Sequence, residues 1–153
     1  MRNLRRVSVS MALTAIGLVG ATTVLGQTSS KGEVLVLPDN VKYVDIPGLL
    51  PGAQIAVLMG DPKKPGPYVM RVKFPPNTMN APHTHPDNRQ GTVLSGSWNF
   101  GHGDKIDIGN STKLPAGTFF TESAGSTHYT FSSTEMVIVQ ISGTGPTSTD
   151  YLK

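Results

Sequence analysis

The chain has 153 residues, with 13 Lys and Arg against 10 Asp and Glu, and no cysteine. That length supplies one domain with a single core. The missing cysteine excludes disulfide cross-links, a thiol nucleophile and a lipidated cysteine anchor, and no Gly-rich phosphate loop, Gly-x-Ser-x-Gly elbow or CxxC pair occurs.

Residues 1–26 read as an address. Arg2, Arg5 and Arg6 form a basic start, and Met11 to Val24 is an uncharged run of small and apolar side chains. Val24 and Gly26 put small residues at the −3 and −1 positions before Gln27. The prediction is a signal peptide over 1–26 and a periplasmic or secreted chain over 27–153. The alternative is a membrane anchor, for which the run is marginal in length and poor in Leu and Ile. Without the leader, ten basic and ten acidic residues remain. The remaining chain is neutral, so neither nucleic acid nor, after cleavage, a membrane is an expected partner.

Gln27 to Gly32 is polar and expected to fray. Short β-type runs follow at Glu33–Leu37, Val41–Ile46, Gln54–Met59 and Tyr68–Phe74. Pro38-Asp39-Asn40, Pro47-Gly48 and Asp61–Pro67 separate them with turn chemistry. Gly91 to Gly101 reads as two strands broken at Gly96, and Gly101–Lys105 as a turn. Strands are predicted near Thr118–Thr121, His128–Phe131 and Met136–Ile141, with loop from Gly143 onward. Seventeen Gly, twelve Pro and no sustained helical period predict an all-β sandwich or barrel.

The candidate chemistry lies in two segments. His83 and His85 are one residue apart, so a strand with period two would aim both imidazoles at one side. His128 follows from a Gly-bounded strand, and a third imidazole there could close a facial metal site. His102 sits in a Gly-bracketed turn and is expected to be exposed. Trp98, Phe100, Phe119, Phe120 and Phe131 are expected as core fillers. Gln140 and Arg71 are polar residues in apolar strands, and would need partners if they faced inward.

In full, the segments are Pro75-Pro76-Asn77-x5-His83-Thr84-His85-x3-Arg89-x6-Gly96 and Gly117-x5-Ser123-Ala124-Gly125-x2-His128-x3-Ser132. They resemble the two signature motifs of the cupin superfamily, above all its small single-domain bacterial members. Four positions depart from the pattern: Asn77 stands for Gly, Arg89 for the metal-binding Glu, Ser123 for Pro and Ser132 for Asn. The resemblance implies a jelly-roll β-barrel of the RmlC-like type, with motif one at about 75–96 and motif two at about 117–132. It implies one divalent transition metal on His83, His85 and His128, with Fe, Mn, Ni, Zn and Cu not distinguished. Affinity is expected to fall as pH drops through about 6, because only neutral imidazole ligates.

Arg89 cannot bind a metal, and would repel one if it faced inward. Gln90 could offer a neutral oxygen instead, but alternation lets only one of the two line the barrel. An inward Arg89 could also pair with an anionic substrate. Glu122 is open to three roles: replacement ligand, general base, or partner to Arg89 or to a histidine. Arg89, Gln90 and Glu122 are therefore the candidate catalytic residues. The expected function is an exported metal-dependent enzyme, of dioxygenase or isomerase type, acting on a small anionic organic molecule. The alternative is a non-catalytic small-molecule or metal-binding module. A homodimer is compatible with the resemblance.

Overall fold

The structure is a computed structural model that describes residues 27–28, 32–46 and 50–152; the expected signal peptide over 1–26 and the Pro47–Gly48 turn lie outside them. In chain order the strands are β1 (Gln27–Thr28), β2 (Val34–Leu35), β3 (Val44–Asp45), β4 (Gln54–Met59), β5 (Gly66–Phe74), β6 (Met79–Thr84) and β7 (Arg89–Ser95). They continue as β8 (Ser97–His102), β9 (Thr112–Pro115), β10 (Phe119–Glu122), β11 (His128–Ser132), β12 (Val137–Gly145) and β13 (Asp150–Tyr151). β1 and β2 form a small sheet of their own. The rest form two antiparallel sheets, ordered β10-β7-β12-β5-β4-β3 and β13-β6-β11-β8-β9. Consecutive strands repeatedly change sheet, as at β5 to β6 and β7 to β8, which makes a jelly roll.

The expected alternation sets the core. Tyr68, Met70, Val72 and Phe74 of β5 are buried, as are Val137, Val139 and Ile141 of β12. Trp98 and Phe100 come from the other sheet, and Trp98 stacks on Phe74 at 5.8 Å between ring centroids. The polar residues between these positions point outward. There Arg71 and Gln140 are register partners, and Arg71 Nε donates to Gln140 Oε1 at 3.1 Å. They satisfy one another on the outer face and do not reach the barrel interior. Phe119 is also outside, 64% exposed, although its aromatic character suggested core; in β10 only Phe120 and Glu122 turn inward.

The departures in the turns have local explanations. Asn77, in the glycine slot, has φ +57°, a left-handed conformation that Asn tolerates better than most residues. Ser132 Oγ donates to the Pro75 carbonyl at 2.6 Å and accepts from Thr78 N–H at 3.0 Å, so it clamps that turn. Gly96 has φ +73°, and a Cβ there would meet the Met136 carbonyl oxygen at 2.4 Å.

Three segments differ from expectation. Gln27 and Thr28 pair with β2 where fraying was expected. β9 forms between the Gly101–Lys105 turn and Gly117, where no strand is predicted. The tail is not loop: β12 runs on to Gly145, and β13 returns to pair with Thr84 and His83 of β6. β13 and the end of β12 are completed by partners distant in sequence, β6 and β5, which short-range patterning does not report.

Candidate metal centre

β6 and β11 are neighbours, and their register sets His83 directly opposite His128. Between Asn80 and His83 the register slips against Thr130 and His128, so β6 carries one extra residue there. This bulge turns Asn80 and His83 to the same side although they are three residues apart. His85 lies just past the end of β6 and keeps the alternation. All three imidazoles are buried, and their ligand atoms lie within 4.8 Å of one another. The fourth histidine, His102, is exposed, as expected.

The ring orientations follow from hydrogen bonding. A carbonyl only accepts, so each ring nitrogen that meets one must carry the proton. Nδ1 of His83 donates to Ala81 O at 2.6 Å, that of His85 to Ser148 O at 2.6 Å, and that of His128 to Ser126 O at 3.1 Å. Every Nε2 is thereby left with an inward lone pair. His83 Nε2 accepts from Asn80 Nδ2 at 3.3 Å, while Nε2 of His85 and of His128 have no partner among the described residues. Phe100 stacks on His128 at 4.9 Å and holds that ring flat against the core.

Burial disfavours the protonated rings. It lowers His83 to about 4, with the His128 and Arg89 charges adding to the effect. It lowers His85 to about 2, again assisted by Arg89, and lowers His128 as well, the nearby Glu122 carboxylate opposing. Three neutral imidazoles presenting lone pairs to one point repel each other unless a cation lies between them. The donor set therefore fits a divalent transition metal.

The opposite sheet supplies the charges. Arg89 is 6% exposed and faces inward from β7, whereas Gln90 is exposed on the outer face. Gln90 thus offers no oxygen to the pocket, and its candidate catalytic role is withdrawn: strand parity admits one of the pair, and Arg89 takes the place. Nor does Arg89 wait for an anionic substrate. Glu122 is its register partner on β10, and Oε2 of Glu122 accepts from Arg89 Nε at 2.7 Å and from Nη2. Glu122 is 4% exposed; its Oε1 has no hydrogen-bond partner among the described residues and lies 3.5 Å from His128 Nε2. A solvated strand-end carboxylate is ruled out.

His83 and His85, with Arg89 and Glu122, line a cavity of about 260 Å³. Ile55, Met70, Val72, Phe74, Trp98 and Ile141 make its walls apolar, and Lys63 stands at its edge. Thr147 to Thr149 cross it as a strap, which no local pattern in the sequence announced. Tyr68 OH donates to Asp87 Oδ2 at 2.7 Å, Thr147 Oγ1 donates to Asp87 Oδ1, and Thr147 N–H donates to Pro62 O at 2.8 Å. Burial and the Asp87 bond push Tyr68 up to about 12, so it stays a neutral donor. At the far end Tyr151 OH donates to Asn80 Oδ1 at 2.8 Å. The strap therefore supplies the carbonyl that orients His85, and β13 after it anchors the amide beside His83. Asp87→Ala would remove the acceptor shared by the buried Tyr68 hydroxyl and the half-buried Thr147 hydroxyl. It should lower stability by roughly 2–3 kcal/mol and speed amide exchange over residues 147–152, read by hydrogen-exchange mass spectrometry.

Residues 31–147 match the family described as the ChrR cupin-like domain. The chain belongs to that family. Among curated proteins, none matches it. This cupin is similar in structure to the polyketide cyclase RemF from Streptomyces resistomycificus, with a TM-score of 0.65 and 17% identity over 79% of this chain and 86% of that one. It is similar to an RmlC-like cupin from Shewanella frigidimarina, with a TM-score of 0.58 and 16% identity over 73% and 90%. An oxalate oxidase gives a TM-score of 0.51 and 22% identity over 66% and 55%. At these identities the likeness concerns the cupin fold alone.

Proposed function

We propose that this cupin binds one divalent transition metal through His83, His85 and His128 and acts as a metal-dependent enzyme on a small organic molecule. The observation that carries the reading is the set of three Nε2 lone pairs, each aimed inward by an Nδ1–H···O=C bond, with His83 and His85 lining an apolar cavity. A divalent ion held there would supply Lewis-acid polarisation of a substrate oxygen. The remaining work falls to the chain. The aliphatic and aromatic walls bind the substrate body and exclude water, and the strap closes one side. A cavity of about 260 Å³ restricts the ligand to small molecules. Arg89 and Glu122 cancel, so the metal's charge is left largely unbalanced, which favours a substrate with an acidic or enolisable oxygen. Lys63, exposed at the edge, adds attraction for an anion on approach. Oxygenation and isomerisation are the reaction types this arrangement suits. Structural likeness to a polyketide cyclase and an oxalate oxidase supports chemistry on small organic molecules in this fold. Export to the periplasm or medium is part of the proposal and rests on the composition of residues 1–26.

Metal binding and turnover test it separately. Single Ala substitutions at His83, His85 or His128 should each weaken Zn²⁺ binding on the order of 100-fold, taking a share of the roughly 10–16 kcal/mol of a structural zinc site. His102→Ala should leave it unchanged, and equal weakening there would overturn the assignment. One observation favours the second reading, a non-catalytic binding module: Arg89 and Glu122 are committed to each other. Loading with Fe²⁺, Mn²⁺, Ni²⁺ and Zn²⁺ and assaying small carboxylic acids and β-diketones under oxygen discriminates the two. A tight-binding protein with no turnover in any combination is the binding module.

A further inference from the structure

We infer that Glu122 is the fourth metal ligand, through Oε1, and that Arg89 is the residue that positions it; this rests on the three-histidine reading above. Sequence resemblance places the family's ligand carboxylate on the strand after the His-x-His pair, where this chain has Arg89. The sheet register puts Glu122 directly opposite Arg89 on the adjacent strand, β10. Acid and base have thus exchanged strands, and the carboxylate reaches the His85 and His128 imidazoles from the neighbouring one.

Its two oxygens are not equivalent. Oε2 accepts both Arg89 donors, and it lies 3.8 Å from His85 Nε2. Among the described residues Oε1 is buried without a donor, 3.5 Å from His128 Nε2, which is itself without a partner. His128 carries its proton on Nδ1, so two acceptors face each other with nothing between them. A cation shared by Oε1 and the three Nε2 atoms removes that conflict. Without metal, Arg89 supplies the compensating charge that lets a carboxylate stay in an apolar wall. In its fixed fork it also sets which oxygen turns to the histidines. Three imidazoles and one carboxylate fill a tetrahedral ion and leave two positions open on an octahedral one. Zn²⁺ would therefore be held closed, whereas Mn²⁺, Fe²⁺ or Ni²⁺ would keep room for substrate.

The test uses Zn²⁺ affinity, by competition with a chromophoric chelator, and the visible spectrum of the Co²⁺-loaded protein. Glu122→Gln keeps the shape and the bond to Arg89 but replaces the ligand charge. It should weaken Zn²⁺ on the order of 100-fold, as for one ligand of a four-ligand site, and alter the Co²⁺ bands. The double exchange Arg89→Glu with Glu122→Arg moves the carboxylate to β7 and preserves the ion pair. It should bind within about tenfold of the wild type, because the donor set is the same. Wild-type affinity and an unchanged Co²⁺ spectrum in Glu122→Gln would show the pair to be purely structural and overturn the inference. A double exchange that binds about 100-fold tighter than wild type would overturn it too, since a ligand would have been gained, and this arm stands even if Glu122→Gln does not fold. Failure of the wild type to bind either metal would instead sink the three-histidine reading.

Discussion

Arg89→Leu is expected to destabilise the metal-free protein by about 3–5 kcal/mol, the usual consequence of leaving one member of a buried ion pair behind. Oε2 of Glu122 has both of its strong donors from Arg89, and neither side chain reaches solvent. Leucine fills much of the same volume, so the loss reports charge and not a void. The control is Arg89→Leu with Glu122→Leu, in which no charge remains to be compensated. That double variant should recover most of the stability, since an apolar replacement of a buried pair is often neutral or better. Urea denaturation of the chelator-treated proteins reads both. Equal destabilisation of single and double variants would mean that packing, not charge, is what Arg89 contributes.

The second large effect is a loss of stability in mild acid. In the unfolded chain an imidazole takes up its proton near pH 6.5. In the folded protein burial keeps His83 neutral down to about 4 and His85 to about 2. Between these values the unfolded state binds more protons, so stability falls as pH falls. At pH 5 each of the two has forgone about 1.5 pH units of protonation, or roughly 2 kcal/mol. Lowering the pH from 7.5 to 5 should therefore remove about 4 kcal/mol from the metal-free protein through His83 and His85 together. Protons compete less well for these nitrogens than for free imidazole, so metal occupancy should fall at a lower pH than the expected 6. Chemical denaturation across this range, with and without Zn²⁺, measures both. A metal-free protein equally stable at pH 7.5 and 5 would show that the imidazoles are hydrated.

What the sequence determined by itself was the part governed by local rules. Alternating apolar residues in Tyr68–Phe74 and Val137–Ile141 specify strands whose faces are known from parity alone, and the spacing of Gly and Pro limits their length. The His-x-His pair and the Gly-bounded His128 could be read as one constellation because period two and a turn residue act over a few positions. The exposed setting of His102 was legible for the same reason. Tertiary structure decided everything that depends on which strand lies beside which. Parity stated that either Arg89 or Gln90 lines the barrel, but only the packed sheets, which bury Arg89 and expose Gln90, show that Arg89 does. Glu122 is 33 residues from Arg89 in the chain and meets it solely through the β7–β10 register. Asn80 joins the site through a bulge, and Ser148 and Tyr151 through a tail that looked like loop until β6 offered it an edge. Register, bulges and edge pairing are set by the energy of the whole packed barrel, so one segment read alone carries no record of them.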